Sequence, residues 1–203
     1  RGAAELQVNV STTHTQSRSS VGLDSNGNMV IAWRSGSGPA PQDGDASGVY
    51  ARRFTAGGLV LGGEFQVNTY TTEYQNRPDL ARSAAPDGTF VVAWQSYNQE
   101  GPSSGYGIYA QRYAFDGVPL GPEFRVNTYT TLDQARPSVA MDSTGNFVVA
   151  WTDYANRDGS GTAIRAQRYN ASGTPAGIEF QVNSNTTGYQ YQPQVGVAAD
   201  GYG

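Results

Sequence analysis

The chain has 203 residues, a formal net charge of -4 at pH 7 and no cysteine. The acidic balance argues against nucleic acid or an anionic membrane surface as partners, and the missing cysteines exclude disulfides, thiol catalysis and thiolate-bound metals. No apolar stretch approaches the roughly 18 residues of a membrane-spanning helix. With 26 glycines and 13 tyrosines, the composition favours strands and turns over helices.

A repeat of 56 to 59 residues runs through the chain. Its most regular marker is a glutamate that starts an E-F/L-x-V-N motif. These glutamates are Glu5, Glu64, Glu123 and Glu179. An apolar motif that ends in tryptophan recurs with it, as MVIAW at 29–33 and as FVVAW at 90–94 and 147–151. Such a period indicates a stacked repeat architecture, in which packing selects most of the recurring residues.

The third unit shows the predicted elements most clearly. An alternating run at 136–141 and the FVVAW segment at 147–151 predict a hairpin across the turn at 142–146. After a glycine-rich loop, the segments 163–169 and 179–183 predict two more strands. We therefore expect four antiparallel strands in each unit. The units span about 18–68, 77–127 and 136–183, and single extra strands are expected at 5–10 and 192–199.

A four-stranded antiparallel meander repeated in tandem predicts an all-β, β-propeller-like fold with three full blades. A tandem array of small sandwiches is the alternative, but one sheet cannot bury both faces alone, whereas stacked blades cover one another. Propellers have roughly four to eight blades. We therefore expect residues 1–203 to form a single repeat domain that belongs to a longer chain or to an assembly. The start at Arg1, without a signal-peptide pattern, also predicts a processed chain or a fragment.

Residues that recur in every unit are expected to be scaffold. Trp33, Trp94 and Trp151 end the second strand of their units, as packing residues between blades would. One arginine per unit is assigned to the third strand, and these are Arg52, Arg112 and Arg168. They either bridge to a carbonyl or carboxylate of the neighbouring blade or converge as a carboxylate-binding triad similar to that of sialidases. Recurrence favours the bridge.

The loops between the second and third strands differ most between units, so they are the better candidates for a site. In the first loop, Asp43, Asp45 and Ser47 place oxygen-bearing side chains on alternate residues before a glycine, a pattern that suits Ca²⁺. The pattern resembles the calcium loops of integrin-type propellers, but Phe54 stands where an EF-hand loop has its last ligand. The single histidine, His14, cannot form a typical zinc site without cysteine.

Two carbohydrate hypotheses come from the same loops. Tyr97, Tyr106 and Tyr154, with neighbouring Asn and Gln residues, predict a sugar-binding surface, because aromatic faces and amide hydrogen bonds suit saccharides. A glycosidase needs two carboxylates that flank the scissile bond. The candidate carboxylates are Asp43, Asp45, Glu100 and Asp158.

The motifs EFRVNTYTT at 123–131, YAQRY at 109–113 and FVVAW at 147–151 together resemble a tandem repeat of large secreted or surface-attached bacterial proteins, often found beside adhesion modules. The likeness covers nearly the whole chain from Glu5. It implies a β-propeller-like scaffold in an extracellular, periplasmic or cell-surface location. It implies no defined catalytic residues.

The leading prediction is a non-catalytic protein-interaction or scaffold module, either an adhesin segment or an accessory subunit, and not an enzyme. Its expected partners are other protein subunits or cell-surface glycans, and Ca²⁺ is the one cofactor that the sequence suggests. A lectin-like carbohydrate-binding propeller is the alternative. A sialidase-like glycosidase comes third.

Overall fold

The computed structural model describes residues 5–36, 42–84 and 88–197. Within these ranges the chain forms twelve β-strands, and it contains no helix that could cross a membrane. The strands are β1 (Thr15–Leu23), β2 (Met29–Gly36), β3 (Ser47–Phe54), β4 (Phe65–Gln66), β5 (Gln75–Arg82), β6 (Phe90–Tyr97), β7 (Tyr106–Tyr113), β8 (Phe124–Arg125), β9 (Gln134–Met141), β10 (Phe147–Asp153), β11 (Ala163–Tyr169) and β12 (Phe180–Gln181).

The strands form three four-stranded sheets, blade 1 (β1–β4), blade 2 (β5–β8) and blade 3 (β9–β12). Within each blade, consecutive strands pair antiparallel. The first strands of successive blades pack against one another, β1 against β5 and β5 against β9. The first strand of each blade therefore lies innermost, at the axis of the arrangement. This confirms the prediction of an all-β, propeller-like fold with four-stranded antiparallel blades.

Trp94 and Trp151 bury their rings between blades, as predicted, whereas Trp33 of the first blade lies beside Leu6 and Val8 of the segment 5–10. Trp94 and Trp151 are fully buried and Trp33 is 4% exposed. Trp94 belongs to blade 2 but packs in one cluster with Val30 and Val49 of blade 1. A fully buried large apolar side chain contributes roughly 1.5–3 kcal/mol, so these rings are a main source of cohesion between blades.

The recurring glutamate of the E-F-x-V-N motif joins each blade to the preceding one. One carboxylate oxygen of Glu123 accepts hydrogen bonds from the backbone N–H and the hydroxyl of Thr69, at 2.7 and 3.0 Å. Glu179 receives the same pair of hydrogen bonds from Thr128. Hydrogen bonds to a charged acceptor are the stronger kind, which explains why the repeat keeps an acid here.

The fourth strands are shorter than the motif suggested, with two residues each. The side chain of the motif's asparagine continues the pairing in place of the backbone: Asn68 Oδ1 accepts from the N–H of Val49 at 2.7 Å, and Asn127 repeats this in blade 2. The segments 5–10 and 192–197, expected as single strands, carry no strand pairing. They contact the blades instead, as where Val195 N–H donates to Ser138 Oγ at 3.3 Å; residues 198 and 199 lie outside the described ranges.

Candidate functional site

The innermost strand of each blade carries an arginine in left-handed backbone. Arg18, Arg77 and Arg136, here called the axial arginines, have φ values of 56°, 52° and 59°. The pairing register of the strand breaks at each of them, which identifies a β-bulge. Pro78 and Pro137 follow two of these arginines, and proline within a sheet is confined to edges and bulges because it donates no hydrogen bond. Bulges next to functional sites serve to re-aim a side chain.

Each unit also has a second left-handed residue, four positions before the bulge, and the two positions differ in how uniform their residues are. The earlier position holds His14, Glu73, Leu132 and Gly188, with φ values from 62° to 79°. These side chains are unrelated, as expected where only the backbone matters. The bulge position instead holds arginine in all three blades and Gln192 at the next equivalent place. A non-glycine residue in left-handed backbone costs on the order of 1 kcal/mol of conformational energy. Arginine therefore occupies a position where glycine would avoid that cost.

The neighbouring blade holds the bulge in place. Gln95 Oε1 of blade 2 accepts a hydrogen bond from the backbone N–H of Arg136 at 3.0 Å. Thr152 Oγ1 of blade 3 accepts in the same way from Gln192 N–H at 3.1 Å. At Arg136 and at the equivalent Gln192, the left-handed backbone is therefore held by a hydrogen bond to the preceding blade.

The axial arginines open onto a shared cleft of about 450 Å³ at the inner edge of the three blades. Its walls are formed by Arg18, Arg34, Tyr74, Asn76, Arg77, Gln95, Tyr106, Asp133, Ala135, Arg136 and Tyr154. A second depression of about 270 Å³ reaches the same three arginines and is also lined by Asp79 and Gln192. The arginines can thus be approached from both depressions.

The axial arginines lack counter-charges. Within the described ranges, none of their guanidinium groups forms an ion pair or a hydrogen bond. Burial lowers the pKa of Arg77, and the positive charges of Arg18 and Arg136 lower it further. Asp79 borders this region, but its two oxygens accept from the hydroxyl of Ser20 and the N–H of Val139, both at 2.8 Å. The cleft therefore has a concentrated positive charge on a chain of net charge -4.

Asp133 ties two tyrosines of the cleft to one residue. Its Oδ1 accepts from the backbone N–H of Tyr106 at 2.9 Å, and its carbonyl oxygen accepts from the N–H of Tyr154 at 2.9 Å. The Tyr106 hydroxyl lies 3.5 Å from Asn76 Nδ2. The cleft thus combines two positioned phenol rings, a carboxylate and amides beside the arginines.

The predicted sugar-binding tyrosines have different places in this arrangement. Tyr106 and Tyr154 line the cleft. Tyr97 packs against Tyr106, with ring centroids 4.9 Å apart and planes inclined by 57°, so it supports the cleft wall. Their role in binding stays a prediction.

The predicted calcium ligands are directed to different partners. Asp43 Oδ1 accepts from the N–H of Asp45 at 3.4 Å, Asp45 Oδ2 accepts from Glu73 N–H at 2.6 Å, and Ser47 donates to the carbonyl of Gln75 at 3.1 Å. Within the described ranges, no three His, Cys, Asp or Glu residues are grouped as a metal would require. Burial raises the pKa of Asp43. A calcium site here stays a prediction.

Of the predicted glycosidase carboxylates, Asp43 and Asp45 share the β2–β3 loop of blade 1, whereas Glu100 and Asp158 belong to loops of blades 2 and 3. None of the four lines the axial cleft. Glu100 folds back onto the start of β7, where a Cβ on Gly107 would stand 1.9 Å from its Oε1 and would displace the carboxylate. Asp158 Oδ2 accepts from Asn183 Nδ2 in blade 3 at 3.4 Å. Burial raises the pKa of Glu100, and its Oε1 has no hydrogen-bond partner.

The third-strand arginines are scaffold, with one correction to the set. The strand registers show that Arg53, not Arg52, corresponds to Arg112 and Arg168. Arg53 Nη1 donates to the carbonyl of Phe115 in blade 2 at 2.9 Å, and Arg112 donates to carbonyls of Ala171 and Ser172 in blade 3. Arg53 and Arg112 thus bridge blades, as recurrence suggested, whereas Arg168 is exposed. The three form no axial triad.

Sequence reasoning missed the axial arginines, because it treated every recurring residue as packing. A usable signal was present. The dipeptide Arg-Pro at 77–78 and 136–137 places a proline inside a predicted strand, and such a proline marks an edge or a bulge.

No family model and no curated protein matches the sequence. Among solved structures, the chain is similar to Zg3597, a family 117 glycoside hydrolase from the marine bacterium Zobellia galactanivorans. The TM-score is 0.54 at 11% identity, over 90% of this chain and 60% of the hydrolase. It is also similar to the polysaccharide lyase Uly1, with a TM-score of 0.50 at 9% identity, over 89% of this chain and 43% of the lyase.

These neighbours are enzymes that act on carbohydrates, and the chain spans only 60% and 43% of their lengths. At such identities the likeness establishes the fold. The prediction of a non-catalytic interaction or scaffold module is contradicted by this result, and so is the prediction that the chain is not an enzyme. Both predictions rested on the lack of a recognisable acid–base pair in the sequence, on the acidic net charge and on the incomplete set of blades.

Proposed function

We propose that this chain is the saccharide-binding part of a carbohydrate-active protein and that the saccharide occupies the axial cleft. The cleft itself carries the proposal: Tyr106 and Tyr154, both tied to Asp133, stand beside the amides Asn76 and Gln95. A sugar ring offers apolar C–H faces and many hydroxyls. Phenol rings and amide groups suit both features.

The fold supports the same proposal. The family 117 glycoside hydrolase and the polysaccharide lyase share the architecture, and in this chain the axial cleft is where all three blades contribute polar side chains. A polysaccharide ligand also agrees with the extracellular or cell-surface location that the repeat implies.

The groups in the cleft that can exchange a proton are the phenols of Tyr74, Tyr106 and Tyr154 and the carboxylate of Asp133. Of the described residues that line the cleft, Asp133 is the one carboxylate. The two-carboxylate mechanism of glycoside hydrolysis needs a pair. The described cleft therefore offers a binding site that contains tyrosine side chains and one carboxylate. Any cleavage of the saccharide would depend on those groups.

The test is calorimetric titration of the chain with a panel of neutral and acidic oligosaccharides, together with an assay for newly formed chain ends. Tyr106→Ala and Tyr154→Ala should each weaken the strongest interaction by about tenfold, through loss of the stacking face. Tyr189→Ala is the control, because Tyr189 is 71% exposed and lies outside the cleft. The proposal is wrong if no saccharide binds or if all three variants bind like the parent.

A further inference from the structure

We propose that the axial arginines bind the acidic group of an anionic saccharide, a carboxylate or a sulfate. The cleft would then select acidic chains over neutral ones. This inference deepens the saccharide-binding proposal and rests on it.

The first support is the missing counter-charge. Two arginines elsewhere in the described ranges are neutralised by carboxylates: Arg82 pairs with Asp24 at 2.8 Å, and Arg157 pairs with Asp153 and Glu179 at 2.6 and 2.7 Å. The axial arginines have no such pair and repel one another, as the lowered pKa of Arg77 reflects. A bound anion would offset the repulsion between the three guanidinium groups.

The second support is the backbone. The bulge holds Arg18, Arg77 and Arg136 in a strained conformation that arginine tolerates poorly. Strained backbone of this kind survives only where the surrounding structure holds it in place, and it is found most often at binding and active sites. At Arg136, the backbone N–H is held by a hydrogen bond to Gln95 of the preceding blade. The left-handed backbone does not itself require arginine, since the equivalent Gln192 adopts it with a φ of 54°.

The third support is the chemistry of the guanidinium group. It presents N–H donors in a planar fork that matches two oxygens of a carboxylate or a sulfate, and it stays charged at any physiological pH. A carboxylate and a sulfate both suit this geometry. The adjoining tyrosines and amides then contact the sugar ring that carries the acidic group, which favours a saccharide over a free inorganic anion.

Arg77 is central to the cluster. It is half-buried, whereas Arg18 is exposed. It also experiences the charges of both other axial arginines and lies near the hydroxyls of Tyr106 and Tyr154. We therefore expect Arg77 to contribute most to discrimination between an acidic and a neutral ligand.

The experiment uses matched pairs of ligands that differ only in charge. Oligogalacturonate is compared with its methyl ester, and a sulfated galactan oligosaccharide with its desulfated form, by calorimetric titration at low and high salt. The acidic member of one pair should bind at least about tenfold more tightly, and the difference should shrink as salt rises. The pair that shows the difference identifies carboxylate or sulfate as the ligand group.

Variants then locate the effect. Arg77→Gln should abolish the preference for the acidic member, and Arg77→Lys should keep part of it because a point charge replaces the fork. Arg125→Gln is the matched control, since it removes one positive charge from an exposed residue on the outer strand β8. Thermal unfolding of each variant checks that it is folded.

Two results separate this inference from the proposed function. Equal binding of charged and neutral members, or a preference that survives Arg77→Gln, overturns the arginine role while saccharide binding stands. Absence of binding to every saccharide overturns the proposed function and this inference with it.

Discussion

Arg112 and Arg77 carry the same charge and recur with the same period, but their surroundings differ. Arg112, on the third strand of blade 2, reaches carbonyl oxygens of blade 3. Arg77, on the innermost strand of that blade, has no hydrogen-bonded or charged partner in the described part of the chain and faces a cleft. Recurrence alone therefore cannot separate scaffold from site. Hydrogen-bond satisfaction and backbone strain can.

The difference has a physical reason. A buried arginine must have its donors satisfied, because an unpaired buried charge is costly. Arg53 and Arg112 on the third strands meet that demand with carbonyl oxygens of the neighbouring blade. The axial arginines have no such partner in the described part of the chain, and their guanidinium groups face the cleft.

The largest expected effect concerns the most completely partnered arginine. Arg82 pairs with Asp24, and both side chains are 1% exposed; it also donates to the carbonyls of Asn28 and Gly88. Arg82→Ala should lower the free energy of unfolding by about 3–5 kcal/mol, because it leaves a buried carboxylate without its partner. Denaturant unfolding measures this. A double-mutant cycle with Asp24→Asn isolates the pair, and a loss below about 1 kcal/mol would contradict its assignment as scaffold.

The same pair predicts a pH dependence. Burial acts to raise the pKa of Asp24, but hydrogen bonds from Asn28 and Asn26 and the charge of Arg82 together lower it below 3.8. Because the folded-state pKa is depressed, the stabilisation is present above pH 3.8 and is lost as pH falls below it. The stability difference between the parent and Arg82→Ala should therefore shrink below that pH. A difference that is constant down to strong acid would contradict the ion pair.

A smaller loss is expected at the third strand. Arg112→Ala removes donors from the carbonyls of Ala171 and Ser172 and should cost about 1–3 kcal/mol, with saccharide binding unchanged. Arg168→Ala is the control at the equivalent position of blade 3, where the side chain is exposed and lies 6.0 Å from the Phe180 ring. It should cost less than about 0.5 kcal/mol. Equal losses in thermal or denaturant unfolding would remove the distinction between bridging and surface arginines.

The smallest expected change in stability concerns Glu100, and it tests whether every unpaired polar group marks a binding site. Glu100 is partly buried with an unpaired Oε1, yet it lies outside the axial cleft. Burial raises its pKa above 4.5, and Asn127 and Arg125 oppose this by less. The folded state therefore favours the protonated acid, so stability falls as pH rises above 4.5 toward the folded-state pKa.

Glu100→Gln should consequently stabilise the fold by about 1 kcal/mol at neutral pH and by little at pH 4. Asp158→Asn serves as the comparison, since that carboxylate has Asn183 as a partner. Unfolding curves at the two pH values measure both variants. A loss of saccharide binding in Glu100→Gln would show that the site extends beyond the axis.

The sequence predicted the blades well, because their strands follow from local patterns. Alternating apolar residues, Asp-Gly turns and the tryptophan motif all act within one unit. Asp24 and Asp142, for example, accept backbone N–H groups across the turns that the sequence indicated. Contacts between a loop and the neighbouring blade were harder to predict from the sequence, since Glu123 and Thr69 meet only after the blades are stacked.

The site could not be predicted because it depends on contacts between units. Arg18, Arg77 and Arg136 lie 59 residues apart and converge only when their strands are packed at one axis. Tyr106 and Tyr154 were identified from the loops. Their alignment beside the arginines depends on Asp133, which no sequence pattern singled out.

The most direct test of the central claim exchanges the axial arginine for the residue that its backbone prefers. Arg77→Gly should leave the free energy of unfolding within about 1 kcal/mol of the parent, or raise it, because glycine adopts the left-handed conformation without strain. The same variant should lose at least about tenfold in affinity for the acidic oligosaccharide. Stability and affinity are measured on the same protein preparation. A clear loss of stability with unchanged affinity would show that Arg77 is scaffold and would contradict the account.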